Sequence, residues 1–457
     1  MDSRSLSGYR LVRLNGPCGP DEWPLPTKRR TVLGRRDASA TEPDVDLSPD
    51  RTVSRRHAEI WFDGDGWWIE DLKSKHGTIL GARRIPAGSP VRCVPGAEIR
   101  VGGTDLAIFA PECHRLRHDA LVIDLSLGAR FSYALAISGA QLISRLAVRN
   151  WGRTATGPGR LELSLGGIAR AGFDVRRLAP GESRVLLDPV FEIDRRALSA
   201  AADQRWHRLV VRLNGQRVES GNLGCSFLAY NEWSYASEDR PSLAAFVQPD
   251  HPVVIQAARE ATTGLPLHAG GAAVVRRLYD YLATAWRIDY RKDRPPAKAN
   301  SQTLRLAGDV LWDPTGRAGE GTCIDLALLL AGCLEALRLQ PLVALVDLGR
   351  SWHAVAGCWR ATRRRLEVLP ADRDTLLGEA TWVDPNGCVR DPAHRAEFTA
   401  ATARGQRDLA NGPLVFALDI AAARASGIHP LPLSGAPRHL DQWPLRRLRF
   451  RRRPRHI

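Results

Sequence analysis

The sequence predicts a multidomain protein in which two all-β sandwiches precede an α+β domain. Three observations carry that expectation. At 457 residues the chain exceeds what one ordinary hydrophobic core accommodates, so two to four domains are expected. Its first half alternates short strand-like pieces with Gly, Asn, Asp and Pro turn signals. Its second half carries apolar runs at helical spacing, foremost Leu326 to Leu337.

Composition narrows the class. A hydrophobic content of 44% and a charged content of 25% are those of a folded globular chain. No apolar run approaches the ~20 residues of a membrane span, and no apolar core follows the charges of Met1-Asp2-Ser3-Arg4. A cytoplasmic protein without membrane association is therefore expected. The eight cysteines are scattered without paired or metal-ligand spacing, which predicts free thiols and no metal or cofactor. The net charge of +15 is spread over several segments, in an Arg- and Ala-rich, Lys-poor composition of the kind GC-rich bacteria use. Nucleic-acid binding is a secondary expectation, resting on the Arg-rich tail, residues 437–457.

Residues 1–112 read as the first β domain. Strand-like pieces run over Arg10 to Leu14, Arg30 to Leu33, Ala58 to Phe62 and Trp67 to Glu70, with a turn at Asp63-Gly64-Asp65-Gly66. Three motifs follow in order: Leu33-Gly34-Arg35, Ser54-Arg55-Arg56-His57-Ala58, and Asp71-Leu72-Lys73-Ser74-Lys75-His76-Gly77-Thr78. In that order and spacing the segment resembles a forkhead-associated (FHA) domain. The resemblance implies that Arg35, Ser54, Arg55 and Lys75 surround the phosphate of a phosphothreonine in a partner protein, linking the chain to a Ser/Thr kinase pathway. Guanidinium and ammonium groups suit a dianion because their hydrogen bonds are charge-assisted. His57 is expected to tie its loop to the sheet. His76 stands where the family usually has Asn, so contact with the ligand's backbone is expected to be altered.

Residues 113–248 read as a second β-sandwich, of immunoglobulin-like type. The strands expected are Leu121 to Leu127, Phe131 to Ile137, Leu142 to Val148 and Leu161 to Leu165, with a hairpin at Asn214-Gly215. No catalytic constellation is visible there. Glu232 and His251 flank a Pro-punctuated stretch similar to one that precedes transglutaminase-like domains in large bacterial proteins. A packed corner is the simpler expectation for both residues.

Residues 249–436 read as the α+β domain. Helices are expected over Val253 to Ala261, Ala272 to Trp286, Phe398 to Leu409 and Phe416 to Ala425. The central one begins at Gly321-Thr322-Cys323-Ile324-Asp325, with Thr322 as N-cap and Asp325 completing a capping box. That places Cys323 in the first helical turn, where unpaired N–H groups and the helix dipole favour a thiolate. His353 follows on a strand-like stretch, and an acid follows on the next. The order Cys, His, acid resembles the transglutaminase-like branch of papain-type cysteine enzymes. The family motif matches Gly321, Cys323, Asp325, Ala327, Leu329 and Leu330, and its His-Ala strand matches His353-Ala354.

The resemblance implies acyl transfer: Cys323 attacks an amide carbonyl, His353 moves the proton, and an acid orients the imidazole. Either Glu379 or Asp384 fits the acid. Glu379 is preferred, because its strand would run directly into the family's next turn. Analogy with papain-type enzymes makes Gln302 an oxyanion donor, whereas the residue taken alone reads as a solvated loop glutamine. The whole reads as a phosphothreonine-recruited protease or amidase, against the alternative of a catalytically silent phosphopeptide-reading scaffold.

Overall fold

The structure, a computed structural model, describes residues 8–15, 22–37, 42–187, 189–266, 269–291, 300–311, 319–349, 351–363 and 367–432. The Arg-rich tail lies outside the described residues. Two compact units divide the chain. One holds residues up to Ala129 with Gln141–Ile193 and Trp206–Ser226; the other holds Arg130–Ala140, Asp194–Arg205 and the chain from Phe227.

The first unit begins with two sheets packed on one core. Alternating apolar residues decide which face each strand buries: Ile60 and Ile69 are fully buried, while Glu59 and Glu70 between them face outward. One sheet is six-stranded, with Arg10–Asn15 beside Thr104–Phe109 near its centre. The other is five-stranded, with Thr31–Gly34, Ala58–Phe62 and Trp67–Asp71 antiparallel in sequence order. Leu11, Leu33, Ile60, Trp67, Ile99 and Leu106 form the core between them. Asp63 closes the turn after Phe62, accepting from the amides of Asp65 (2.9 Å) and Gly66 (2.8 Å).

Two further sheets complete this unit. Leu121–Leu127 pairs with Cys113–His118 on one side and Ile143–Asn150 on the other. In the second sheet Gly159–Leu165 stands between Ala169–Val175 and Arg205–Leu213. Leu161, Leu163 and Leu165 are buried in alternation with polar neighbours, as their spacing predicts. Asn214 and Gly215 both take positive φ (51° and 79°), the conformation a two-residue hairpin turn requires. The buried Arg115 guanidinium chelates Asp124 (2.7 and 2.8 Å) and also donates to the carbonyl of Arg13 (2.8 Å). That one side chain joins strands of two different sheets.

The second unit is built on a four-stranded antiparallel sheet in the order Ala380–Val383, Trp352–Trp359, Pro341–Asp347, Leu414–Asp419. The helix Cys323–Ala336 packs on the two middle strands, and Pro252–Ala261 and Gly271–Ala285 pack on that helix. Every residue from Ile324 to Leu334 is buried, so the helix is enclosed on all sides and not only on one face. The helix Phe398–Asn411 packs on Ala380–Val383.

Two expected elements differ. Leu414–Asp419 is a strand and only Ile420–Ala425 is helical, because the apolar run pairs with Pro341–Asp347; short apolar runs do not distinguish the two states. Phe131 to Ile137 is not one strand: Ser132 accepts from the Leu135 amide (3.1 Å) and caps a helix over Tyr133–Ile137.

Candidate functional site

The second unit brings a thiol, an imidazole and a carboxylate together. Thr322 and Asp325 form the capping box: the Asp325 carboxylate accepts from the Thr322 amide (2.9 Å), and the Thr322 hydroxyl accepts from the Asp325 amide (3.4 Å). Asp325 is almost fully buried and is also held by Arg305, through its amide (2.9 Å) and guanidinium (3.2 Å). Burial pushes its carboxyl up while these bonds pull it down. The result is a braced first turn with Cys323 at its first position, partly exposed.

His353 stands opposite Val346 on the sheet, near the start of its strand. Its side chain is 12% exposed, and Nε2 lies 3.3 Å from Oδ1 of Asp384. Burial works against the imidazolium, but hydrogen bonds to Asp384 and Cys323, and their charges, outweigh it and push the group up to about 10. Asp384 follows the last residue of the neighbouring strand and caps the turn Pro385–Cys388, accepting from the Asn386 amide (3.0 Å).

The chain does not bring Glu379 to the imidazole. Glu379 ends the helix Arg373–Glu379, with its side chain 58% exposed and 3.6 Å from Arg363. The reason is local: Asp372 caps a helix where the sequence suggested the strand had already begun. Gln302 lies on Ser301–Thr303, opposite Trp233 of Glu232–Ser234, and no hydrogen bond among the described residues joins its side chain to Cys323 or His353. Glu232 accepts from Ser301 Oγ (2.6 Å) and from the Ala229 amide (3.1 Å). His251 Nδ1 accepts from the Val253 amide (3.3 Å), capping Pro252–Ala261. Both are buried and hold loops and helix ends, away from any open surface.

One residue was missed. Asp408, on Phe398–Asn411, places Oδ2 3.9 Å from Nε2 of His353. Its only sequence signal was helical phase relative to a residue that touches Asp384, which cannot be used before the packing is known. Among the described residues no group of three or more His, Cys, Asp and Glu could hold a metal ion. No helix among them is long and apolar enough to cross a membrane.

In the first unit the three motif loops converge at one end of the sandwich. A Cβ on Gly34 would lie 2.0 Å from the Arg55 carbonyl oxygen, so only glycine lets the two loops meet. The Arg35 amide donates to the Ser54 carbonyl (3.0 Å), and the Lys75 amide donates to Ser54 Oγ (3.1 Å). His57, fully buried, accepts from the Ser54 amide at Nδ1 (3.1 Å), which leaves Nε2 to donate to the Gly77 carbonyl (3.2 Å). Burial pushes its imidazole below the usual histidine range. Asp71 receives Ser74 Oγ and Thr78 Oγ1, each at 2.7 Å, and holds the third loop. Arg55, Lys75 and His76 are exposed, and Arg35 and Ser54 are half-buried beside them. Arg55 pairs with Asp37 (2.9 Å), and Arg84 donates to the His76 carbonyl.

These loops carry a family signature, and residues 31–102 match the family model of the FHA domain. Residues 31–102 are an FHA domain. The match is supported by relatives. Protein FraH of Nostoc is 40% identical over 103 residues, 22% of this chain and 35% of its own length. The FHA domain-containing protein FhaB of Mycobacterium tuberculosis is 35% identical over 72 residues, 14% of this chain and 43% of its own length. This chain thus spans less than half of either relative. Among solved structures, the FHA domain of the CT664 protein from Chlamydia trachomatis is 28% identical, covering 22% of this chain and 97% of that one, with a TM-score of 0.20.

Proposed function

We propose that the FHA domain recruits this chain to a threonine-phosphorylated protein, and that Cys323, His353 and Asp384 perform acyl transfer there. The observation that carries the catalytic half is geometric: Nε2 of His353 lies 3.3 Å from the buried Asp384 carboxylate, and Cys323 stands in the first turn of the helix packed on the strand that carries His353. A transglutaminase-like fold for the second unit and an immunoglobulin-like one for the middle sheets belong to this reading.

In the proposed reaction the Cys323 proton passes to His353, and the thiolate adds to an amide carbonyl carbon. The N–H of Cys323, at the first helical position, faces the resulting oxyanion. His353 returns the proton to the leaving amine as the C–N bond breaks, which leaves a thioester. Water then attacks the thioester, giving its proton to His353 as the C–S bond breaks, which releases the acid and regenerates the thiolate–imidazolium pair, the outcome of a protease or amidase. Asp384 keeps the ring in the tautomer whose Nε2–H points at the carboxylate. In the FHA half, Arg35, Ser54, Arg55 and Lys75 sit on loops joined by the bonds of the Arg35 and Lys75 amides to Ser54, and in this reading their guanidiniums, ammonium and hydroxyl bind the phosphoryl dianion.

The test is alkylation of Cys323 by iodoacetamide across pH, with His353→Ala beside the wild type. A reactive thiol well below pH ~8.5, lost in His353→Ala, supports the pair. Identical profiles would leave a phosphothreonine-reading scaffold as the surviving account.

A further inference from the structure

The helix Phe398–Asn411 is seated directly on the corner that holds Asp384. The Ala401 carbonyl accepts from the Asp384 amide (3.0 Å). A Cβ on Gly405 would stand 2.9 Å from that same nitrogen, so glycine lets the helix backbone close onto the strand end. Ala401, Gly405 and Asp408 share one helical face, at i, i+4 and i+7. The contact at Gly405 therefore aims Asp408 at the imidazole, with Oδ2 3.9 Å from Nε2 of His353.

We propose that Asp408 is a second positioning carboxylate for His353, sharing the imidazolium charge with Asp384. The inference rests on the thiolate–imidazolium reading above. Two carboxylates face one ring nitrogen: Asp384 at 3.3 Å, with its side chain 8% exposed, and Asp408 at 3.9 Å and 28% exposed. Asp384 is placed to accept the Nε2–H, and Asp408 adds negative charge from the open side. Asp408 also borders an open cavity of about 540 Å³ with Arg407, Asp347 and Leu348. Two arginines stand near the pair: Arg404, whose Nη1 lies 4.0 Å from Asp384 Oδ2, and Arg407 beside Asp408. Both partly offset the carboxylates. Burial pushes the Asp408 carboxyl up and Asp384 adds to this, whereas His353 draws it down, as expected for two acids competing for one cation.

When the Cys323 proton moves to His353 Nδ1, the new imidazolium presents its Nε2–H to both carboxylates. Asp408 thereby stabilises the ion pair against the neutral thiol–imidazole pair.

The experiment follows alkylation of Cys323 by iodoacetamide against pH in the full chain, reading the Cys323 peptide by mass spectrometry. Wild type, His353→Ala, Asp408→Asn, Asp408→Glu, Asp384→Asn and the Asp384→Asn/Asp408→Asn double variant are compared. Asp408→Asn should raise the midpoint by roughly half to one pH unit, a three- to tenfold loss of the ion pair against the neutral thiol–imidazole pair near neutral pH. Asp408→Glu should restore most of it, and the double variant should exceed Asp384→Asn alone. The buried thiols Cys333, Cys358 and Cys388 staying unlabelled shows that each variant is folded. Should Asp408→Asn expose them, Asp408→Ala is read by the same criterion. An unchanged midpoint in a folded Asp408 variant, or a double variant equal to Asp384→Asn, overturns the inference and leaves the pair standing. A wild-type profile equal to that of His353→Ala overturns both.

Discussion

His353 Nε2 lies 3.3 Å from Asp384 Oδ1, while Glu379 stands at the end of the preceding helix and faces Arg363. Removing the Asp384 charge should therefore cost activity that removing the Glu379 charge does not. Asp384→Asn is expected to slow acylation of Cys323 by at least about a hundredfold, since the amide favours the wrong tautomer. Glu379→Gln should stay within about twofold, as an exposed ion pair contributes little. Single-turnover acylation by an activated ester measures both. Equal losses in the two variants would contradict the assignment of the acid.

In the FHA domain, Arg35 and Ser54 sit on loops held together by the bond of the Arg35 amide to the Ser54 carbonyl and of the Lys75 amide to Ser54 Oγ. Arg35→Ala should weaken binding of a phosphothreonine peptide by roughly ten- to a hundredfold, the scale of a lost hydrogen bond to a charged group. The unphosphorylated peptide should bind neither form. Isothermal titration against a phosphothreonine peptide library gives the comparison, and wild-type binding that ignores the phosphate would exclude the reading.

The contact of Gly405 with the Asp384 amide makes it a sensitive position far from any ligand in sequence. Gly405→Val should lower stability by roughly 1–3 kcal/mol, the usual cost of overpacking. It should also slow Cys323 alkylation at neutral pH, because the helix can yield only by moving off the acid. Urea unfolding and the alkylation rate report the two effects separately.

His57 sets an acid limit on the FHA domain. Its imidazole is buried and neutral, with a pKa below the usual ~6.5, so the unfolded chain binds the proton more readily. Its contribution is fully present above pH ~6.5 and declines as pH falls through that value toward the depressed one. His353 runs the other way. Its pKa is raised to about 10, so its contribution is complete below pH ~6.5 and is lost as pH rises toward 10. Thermal unfolding of the wild type, His57→Gln and His353→Gln between pH 5 and pH ~10 would show each variant losing one limb of the profile.

Much of this was readable before any coordinates. The capping box at Thr322 and Asp325, the alternation of Leu161, Leu163 and Leu165, and the hairpin at Asn214-Gly215 are local, because each depends on residues a few positions apart. The three FHA loops were legible for a related reason: their glycines and the buried His57 answer to backbone geometry that a motif records.

What tertiary structure decided lay beyond that range. Glu379 and Asp384 are both acids beside a strand, and only the helix capped by Asp372 determined which of them the sheet would present to His353. Leu414–Asp419 became a strand because an unpaired sheet edge was there to receive it. Asp408 joined the imidazole because Gly405 let a helix settle on a strand end. Local spacing determines which conformations a segment prefers. Packing selects among them, because the free energy of burying a surface depends on the surface that covers it.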